Sequence, residues 1–339
     1  MSSIKYFLFI TLLFYPLWSE AVQIDRNLKF IDLDAEDVEV IKDPQRIFDI
    51  DNLPFEQFDY LDQNSLNFGF YDGVVWIKLN ISSPKRLHYI LELKNPYLDK
   101  VKIYLKKDEH YFEEYEVGDK FKFNKRVDEH RFFHFPLNGP NEIVIRIDNA
   151  GDQFYVPIKI FSEKELNQRD YVEQFILGIY YGIILFVLLF NLFIYFTIKV
   201  KANFYYVLYL SGLMLLQLGL GGHGFQYLWP FSPYLANHML PIMASLGVLF
   251  LILFTQSFLQ LKTSAPKVNK GLNVTVVILT LIFLISIPTL SITYKIAVVS
   301  VNIITLLLNI AIIPISFYVM RKKFRPARFF LLAFFFLFI

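Results

Sequence analysis

Glu173 is the last acidic residue of this chain of 339 residues; the stretch after it holds 11 Lys and Arg and no Asp or Glu. Residues 22–170 hold 21 Lys and Arg against 29 Asp and Glu, so the overall charge of +2 conceals an acidic half and a basic half. The basic half is also strongly apolar. Segments 174–198, 203–220, 238–261, 271–290 and 296–320 are each long enough to cross a hydrocarbon core about 30 Å thick. A chain that is 55% hydrophobic, with 37 Phe, cannot fold as one soluble domain. It reads as a multi-domain membrane protein whose residues 171–339 form an α-helical transmembrane bundle. Residues 329–339 are apolar to the end, about 16 Å of helix, and are expected to be a truncated further helix.

Loop charges orient the bundle. Lys199, Lys201, Lys262, Lys267, Lys270, Arg321, Lys322, Lys323, Arg325 and Arg328 follow the first, third and fifth segments, whereas Lys295 alone lies in the loops after the second and fourth. Positive loops stay in the cytoplasm, so the first segment begins outside. The N-terminus agrees. Lys5, an apolar run from Tyr6 to Trp18, and Ser19 and Ala21 at cleavage-site positions read as a signal peptide over residues 1–21. An uncleaved anchor would equally deliver residues 22 onward to the outside. The expected location is the cytoplasmic (inner) membrane, multi-pass, with the N-terminal domain periplasmic or extracellular.

Residues 22–165 carry the period-two alternation of half-buried strands. Val75, Ile77, Leu79 and Ile81 form one such row, Tyr89, Leu91 and Leu93 another. Val101, Ile103 and Leu105, then Ile143, Ile145 and Ile147, complete the set. Turn signals such as Asp72-Gly73, Asn95-Pro96 and Asn138-Gly139-Pro140 separate them. Seven or eight short strands predict an exported antiparallel β-sandwich, jelly-roll-like in style. Residues 22–60 show few clean periods and are expected to add one or two edge strands. The absence of Cys excludes disulfides and thiolate chemistry.

Both halves resemble one family. Gly178-Ile-Tyr-Tyr-Gly182, Asn191-Leu-Phe-Ile-Tyr195, the loop Gly-Gly-His-Gly-Phe-Gln-Tyr-Leu-Trp-Pro at residues 221–230, and Phe254-Thr-Gln-Ser-Phe258-Leu259 are similar to the bundle of bacterial seven-transmembrane receptors with diverse intracellular signalling modules. Asn67-Phe-Gly69, Val75-Trp76-Ile-Lys-Leu79 and the run from Leu91 through Asn95-Pro96 to Tyr104 resemble that family's type 2 extracellular sensor domain. The resemblance implies a transmembrane sensory receptor, or its N-terminal portion. Such a receptor would bind an extracytoplasmic small molecule or carbohydrate-like ligand and pass a conformational signal through the bundle. Family members add a cytoplasmic effector enzyme, absent from these 339 residues, so no catalytic activity carries over. The partners expected are the bilayer and that ligand, with a homodimer admitted and nucleic acid excluded. A transporter is disfavoured because ion-coupled carriers usually hold an intramembrane carboxylate. A membrane-anchored envelope-binding protein would need only one helix.

No catalytic, cofactor or metal site is expected from the individual polar residues. His130 and His134, taken as lying on one strand, would stand about 13 Å apart, too far to share an ion. Trp76 lies out of phase with its inward neighbours and is a candidate platform for stacking a sugar. His223 is a candidate pH sensor and Trp229 a candidate ligand contact beside it. The glycines at 221, 222 and 224 lack the strand and the Lys-Ser/Thr of a phosphate loop and are expected to fold a loop over the bundle mouth. Asn80-Ile-Ser is read as a chance sequon. Asn191, Gln217, Gln256, Asn302 and Asn309 are expected to bond between helices, and Pro241, Pro288 and Pro314 to act as kinks.

Overall fold

The computed structural model describes residues 21–108, 110–150, 154–287, 291–322 and 324–337. The expected signal peptide (save Ala21) and Pro288 lie outside them.

The N-terminal half is a two-layer sandwich. One sheet carries β1 (Val22–Gln23), β5 (Asp72–Ser82), β10 (Asn141–Ala150), β7 (Lys100–Lys107) and β8 (His110–Val117) in that order, and β3 (Glu39–Asp43) also pairs with β5. The other carries β2 (Phe30–Leu33), β12 (Ile158–Phe161), β6 (His88–Leu93) and β9 (Phe133–Asn138). A small ribbon pairs β4 (Asn67–Gly69) with β11 (Phe154–Tyr155). All pairings are antiparallel except β1 with β5. Among the described residues the strands number twelve rather than seven or eight. β1 to β4, β11 and β12 have two to five residues each, too brief to show a period. Asp72-Gly73, expected as a turn, opens β5.

The alternating rows face one another as the period requires. Val75, Ile77 and Leu79 on β5 and Ile143, Ile145 and Ile147 on β10 pack against Leu91, Leu93, Phe133, Phe135 and Ile160 of the facing sheet. Each such side chain contributes about 1.5–3 kcal/mol on burial. The outer face of the β5 sheet is covered as well. Ile50–Asn52 and Phe55–Gln57 are short 3-10 turns that bring Phe48, Ile50, Phe55 and Phe58 onto Trp76, Tyr104 and Val144. Here the expectation of a surface Trp76 is corrected: it is wholly buried and stacked on Tyr104 with centroids 6.1 Å apart.

One residue separates the sandwich from the membrane segment. Ser162 follows β12 and caps α1 (Glu163–Ile198), its Oγ accepting from the Glu165 amide. Glu163 and Glu165 sit favourably in the first turn. This helix starts eleven residues before the expected 174, because its first three turns are charged and lack an apolar stripe. At 36 residues it extends about 54 Å, well beyond the hydrocarbon core. The bundle continues with α2 (Lys201–Leu220), α3 (Pro233–Phe258), the short α4 (Leu261–Ser264), α5 (Pro266–Ile285), α6 (Ser291–Arg321) and α7 (Ala327–Leu337). Five of these helices are long and apolar enough to cross a membrane. At the α2–α3 crossing a Cβ on Gly212 would stand 3.3 Å from the Gly247 Cα, so the backbones meet closely.

Replacing Trp76 with Ala empties the outer core and should cost about 3–5 kcal/mol. Thermal melts of the full chain followed at a β-sheet circular-dichroism band are expected to show the sandwich transition shifted down. An unshifted transition would contradict the burial.

Candidate functional site

The underside of the sandwich, the start of α1 and the α2–α3 loop meet in one polar and aromatic junction. Glu92 on β6 is fully buried and faces its register partner His134 on β9. Arg169, two turns into α1, closes a bidentate pair on Glu92 with N–O distances of 2.8 and 2.6 Å. His134 spans two carboxylates, Nε2 at 3.0 Å from Glu92 and Nδ1 at 2.6 Å from Asp128. His130 stacks on the His134 ring at 4.1 Å and reaches Asp170 on α1 at 3.4 Å.

The charges follow from these contacts. Burial opposes ionisation of Glu92, but hydrogen bonds from Arg169 and His134 outweigh it and hold the carboxyl at about 2. Burial likewise disfavours charge on His134, yet its hydrogen bonds to Asp128 and Glu92 raise it to about 9. His130 has no such support. Burial first, then the His134 cation, push it down to about 2. The stacked pair is therefore one imidazolium on one neutral imidazole.

Glu92, His130 and His134 offer ligand atoms all within 4.8 Å of one another. The 13 Å separation expected from strand spacing fails because His130 precedes β9, in a loop that folds back over His134. A metal ion would have to compete with cations already in place. Arg169 holds both Glu92 oxygens, and both His134 nitrogens face carboxylates. The donor set is that of an ion-pair network.

The α2–α3 loop forms the second half of the junction. Gly222 has φ +78°, and a Cβ there would meet Pro96 at 2.9 Å and Arg131 at 3.1 Å. A Cβ on Gly224 would strike the Trp229 ring. These glycines press the loop against the sandwich, which is more specific than lying over a bundle mouth. Arg131, itself buried, donates to the Gly221 carbonyl at 3.3 Å and pairs with Glu173 of α1 at 2.6 Å. Phe123 meets Phe225 edge-on at 5.4 Å, and Arg126 lies over the Phe133 ring at 4.1 Å. Tyr97 bonds to the Gly219 carbonyl, Lys120 to Asn237 at 2.8 Å, and Gln226 to the Glu129 carbonyl at 2.6 Å.

Of the three sequence-derived candidates, His223 and Trp229 lie in this junction and Trp76 does not. His223 is buried rather than solvated and lies within hydrogen-bond reach of Gln174 at 3.2 Å. Burial and then Arg131 hold it down at about 4, neutral at ordinary pH. Trp229 is buried beside Phe123 and Phe225, so it supports the loop rather than facing a ligand. Glu92, Arg126, Arg131 and Arg169 were missed: Glu92 sits in the polar phase of its strand, and only its pairing with Arg169 of α1 shows it to be covered.

Two family models match: 7TM diverse intracellular signalling over residues 173–339, and 7TMR-DISM extracellular 2 over residues 35–162. The chain belongs to the 7TM diverse intracellular signalling family. It is thus a multi-pass membrane protein built from 7TMR-DISM receptor domains, with the sandwich as the extracellular one. No curated protein matches the chain. Among solved structures, a family 35 carbohydrate binding module from Clostridium thermocellum is similar at 14% identity, covering 40% of this chain and 98% of its own, with a TM-score of 0.17. A likeness at that score supports no conclusion about this 7TMR-DISM chain.

The network predicts a stability maximum near pH 6.5. His134, raised from 6.5 to about 9, stabilises the fold fully below pH 6.5 and loses that contribution as pH climbs through 9. His130, lowered from 6.5 to about 2, acts oppositely: below pH 6.5 the unfolded chain takes a proton that the folded one refuses. Melting temperatures should therefore fall on both sides. His134→Gln should flatten the alkaline limb; His130→Gln should make the acid limb above pH 4.5 shallower by about half, the remainder belonging to His223, which is held at about 4. Limbs unchanged in both variants would refute the assignment.

Proposed function

We propose that this chain is a sensory receptor of the cytoplasmic membrane, in which ligand-driven changes in the exported sandwich bias two packings of the helix bundle. One observation carries the reading. The same sandwich underside runs through Ser162 into α1 and grips the α2–α3 loop through Arg131, which bonds to Gly221 and Glu173 together. A shift of the sandwich therefore moves two membrane helices at once. Only a ligand with different affinities for the two arrangements can shift their populations. Pro241 inside α3 and Pro314 inside α6 remove helix hydrogen bonds and supply bending points. A carbohydrate-like ligand loses its proposed platform with the burial of Trp76, so the ligand class rests on other features of the molecule.

The orientation follows from two opposite ends. The loop at Phe231 and the start of α6 lie on the sandwich side, where Lys295 approaches Phe70 at 5.2 Å; Lys322 bonds to the Ser264 carbonyl at the basic end. With no native Cys to remove, a cysteine at the exposed Phe231 should react with an impermeant thiol reagent on spheroplasts. One at Lys267 should react only after lysis. The reverse pattern would invert the topology.

Transmission is tested at a distance from the junction. Spin labels at Lys201 and Lys267, on the basic end of α2 and α5, report the spacing of those helices in nanodiscs. Arg131→Ala and Arg169→Ala should each redistribute that spacing between two populations. A distribution identical to the parent in both variants, with folding intact, would sink the mechanism.

A further inference from the structure

We propose that the cavity between sandwich and bundle binds a single-chain anionic amphiphile, its carboxylate-like head at Lys94 and Lys295 and its apolar chain between α2, α3 and α6. The inference rests on the membrane setting of the bundle and not on the signalling reading.

The cavity measures about 470 Å³, inside the usual range of about 300–1,000 Å³ for small-molecule sites. Its upper wall belongs to the sandwich, with Phe70, Lys94 and Tyr97. Its lower wall belongs to the bundle, with Leu216 of α2, Leu240 and Ala244 of α3, and Val298 of α6. The lining thus changes from polar to apolar along its depth. That gradient matches a molecule with a charged end and a hydrocarbon end, and neither a sugar nor a wholly apolar ligand.

The charge at the mouth has one sign. Lys94 lines the cavity, and Lys295 lies over the ring of Phe70, which also lines it. Among the described residues neither lysine has a carboxylate partner. Glu173, whose charge is felt by Lys94, is held by Arg131 at 2.6 Å. Lys295, in the second turn of α6, is also the sole Lys or Arg between Lys270 and Arg321, on the side that the positive-inside rule leaves poor in positive charge. Lys94 lies over the Phe132 ring at 5.6 Å and Lys295 over Phe70 at 5.2 Å, and two ammonium groups without a carboxylate salt bridge beside an apolar slot select an anion over a neutral head. Asn302 lines the slot further down α6 and makes no hydrogen bond among the described residues, leaving an amide for a polar group along the chain. The slot takes one chain; the two chains and bulky head of a phospholipid do not fit the same volume.

Pro241 forms part of the same wall. A chain seated there would press directly on the bending point of α3, and its head would tie the sandwich to α6.

The test uses the full chain in nanodiscs of phosphatidylcholine, with cis-parinaric acid as the fluorescent probe and empty nanodiscs as the blank. Saturable binding at one site per chain is expected, displaced by palmitic acid at least about tenfold more strongly than by methyl palmitate, a difference of about 1.4 kcal/mol. Ala244→Trp, or Leu240→Phe where the first variant fails to fold, should weaken binding by about tenfold or more with the melting temperature retained. Lys94→Gln with Lys295→Gln should abolish the preference of acid over ester while the ester still competes. Absence of saturable binding, or affinity unchanged in a folded cavity-filling variant, would overturn the proposal. So would displacement of the probe by phosphatidylglycerol built into the disc, which would make a bilayer lipid the occupant. Saturable binding alongside unchanged helix spacing would leave this site standing and remove only the signalling reading.

Discussion

A carboxylate with no access to solvent, held between a strand and a membrane helix, sets the relation of the two halves of this receptor. Glu92 is fully buried, and its charge is tolerated only because Arg169 and His134 both donate to it. Burying an isolated carboxylate is prohibitive, and breaking a buried pair costs about 3–5 kcal/mol because the survivor stays unsolvated. Arg169 stands on α1 and Glu92 on the sandwich, so that cost opposes separation of the two domains. It makes the junction a discrete arrangement rather than a continuously sliding contact. Asp128, His130 and Asp170 extend the network on both sides, and each position is polar only because another in the cluster is.

A rigid tie on α1 alone would carry the sandwich as a passive load. The loop at residues 221–230 adds the second point of contact. Its glycines matter for what they omit: at 222 a side chain would collide with Pro96 and Arg131, and at 224 with Trp229. Small residues there allow the Gly221 carbonyl of the loop to reach Arg131, while the Gly219 carbonyl at the end of α2 accepts from Tyr97. In the proposed mechanism, two attachments on different helices would convert a rotation of the sandwich into relative motion of α1 and α2. Close packing makes such interfaces prefer a few distinct arrangements, which is the property a receptor needs.

Much of this was legible in the residues. The strand rows at 75–81, 89–93, 101–105 and 143–147 face the core as their period demands, and the apolar segments became the spanning helices. What escaped was set by contacts distant in sequence. Trp76 obeys the outward phase of β5, yet residues 48–58 fold over it, and nothing periodic in that stretch announces a cover. His130 and His134 are four apart in either a strand or a loop, and only the tertiary path of residues 123–132 stacks their rings. The early start of α1 is hidden because its first turns are charged, and Arg169 and Asp170 pair with Glu92 and His130 of the sandwich rather than forming an apolar face. His223 illustrates the same limit: a loop histidine reads as solvated until the surface that covers it is known.

The disappearance of acids after Glu173 has a structural consequence beyond topology. In the sandwich about half of the cations have a carboxylate partner: Lys78 has Glu39, Lys102 has Glu113, Lys106 has Glu142, and Lys159 has Asp32. At the boundary that supply ends. Arg131 takes Glu173, and Arg169 takes Glu92 and its neighbour Asp170. Lys94 and Lys295 are left facing an apolar slot. Pairing inside the sandwich lowers the field that any one cation presents to a ligand, whereas an unpaired ammonium beside low-dielectric walls keeps its full attraction for an anion. The charge asymmetry that divides the sequence thus leaves Lys94 and Lys295, among the described residues, without a carboxylate salt bridge beside a cavity lined by both the sandwich and the helices.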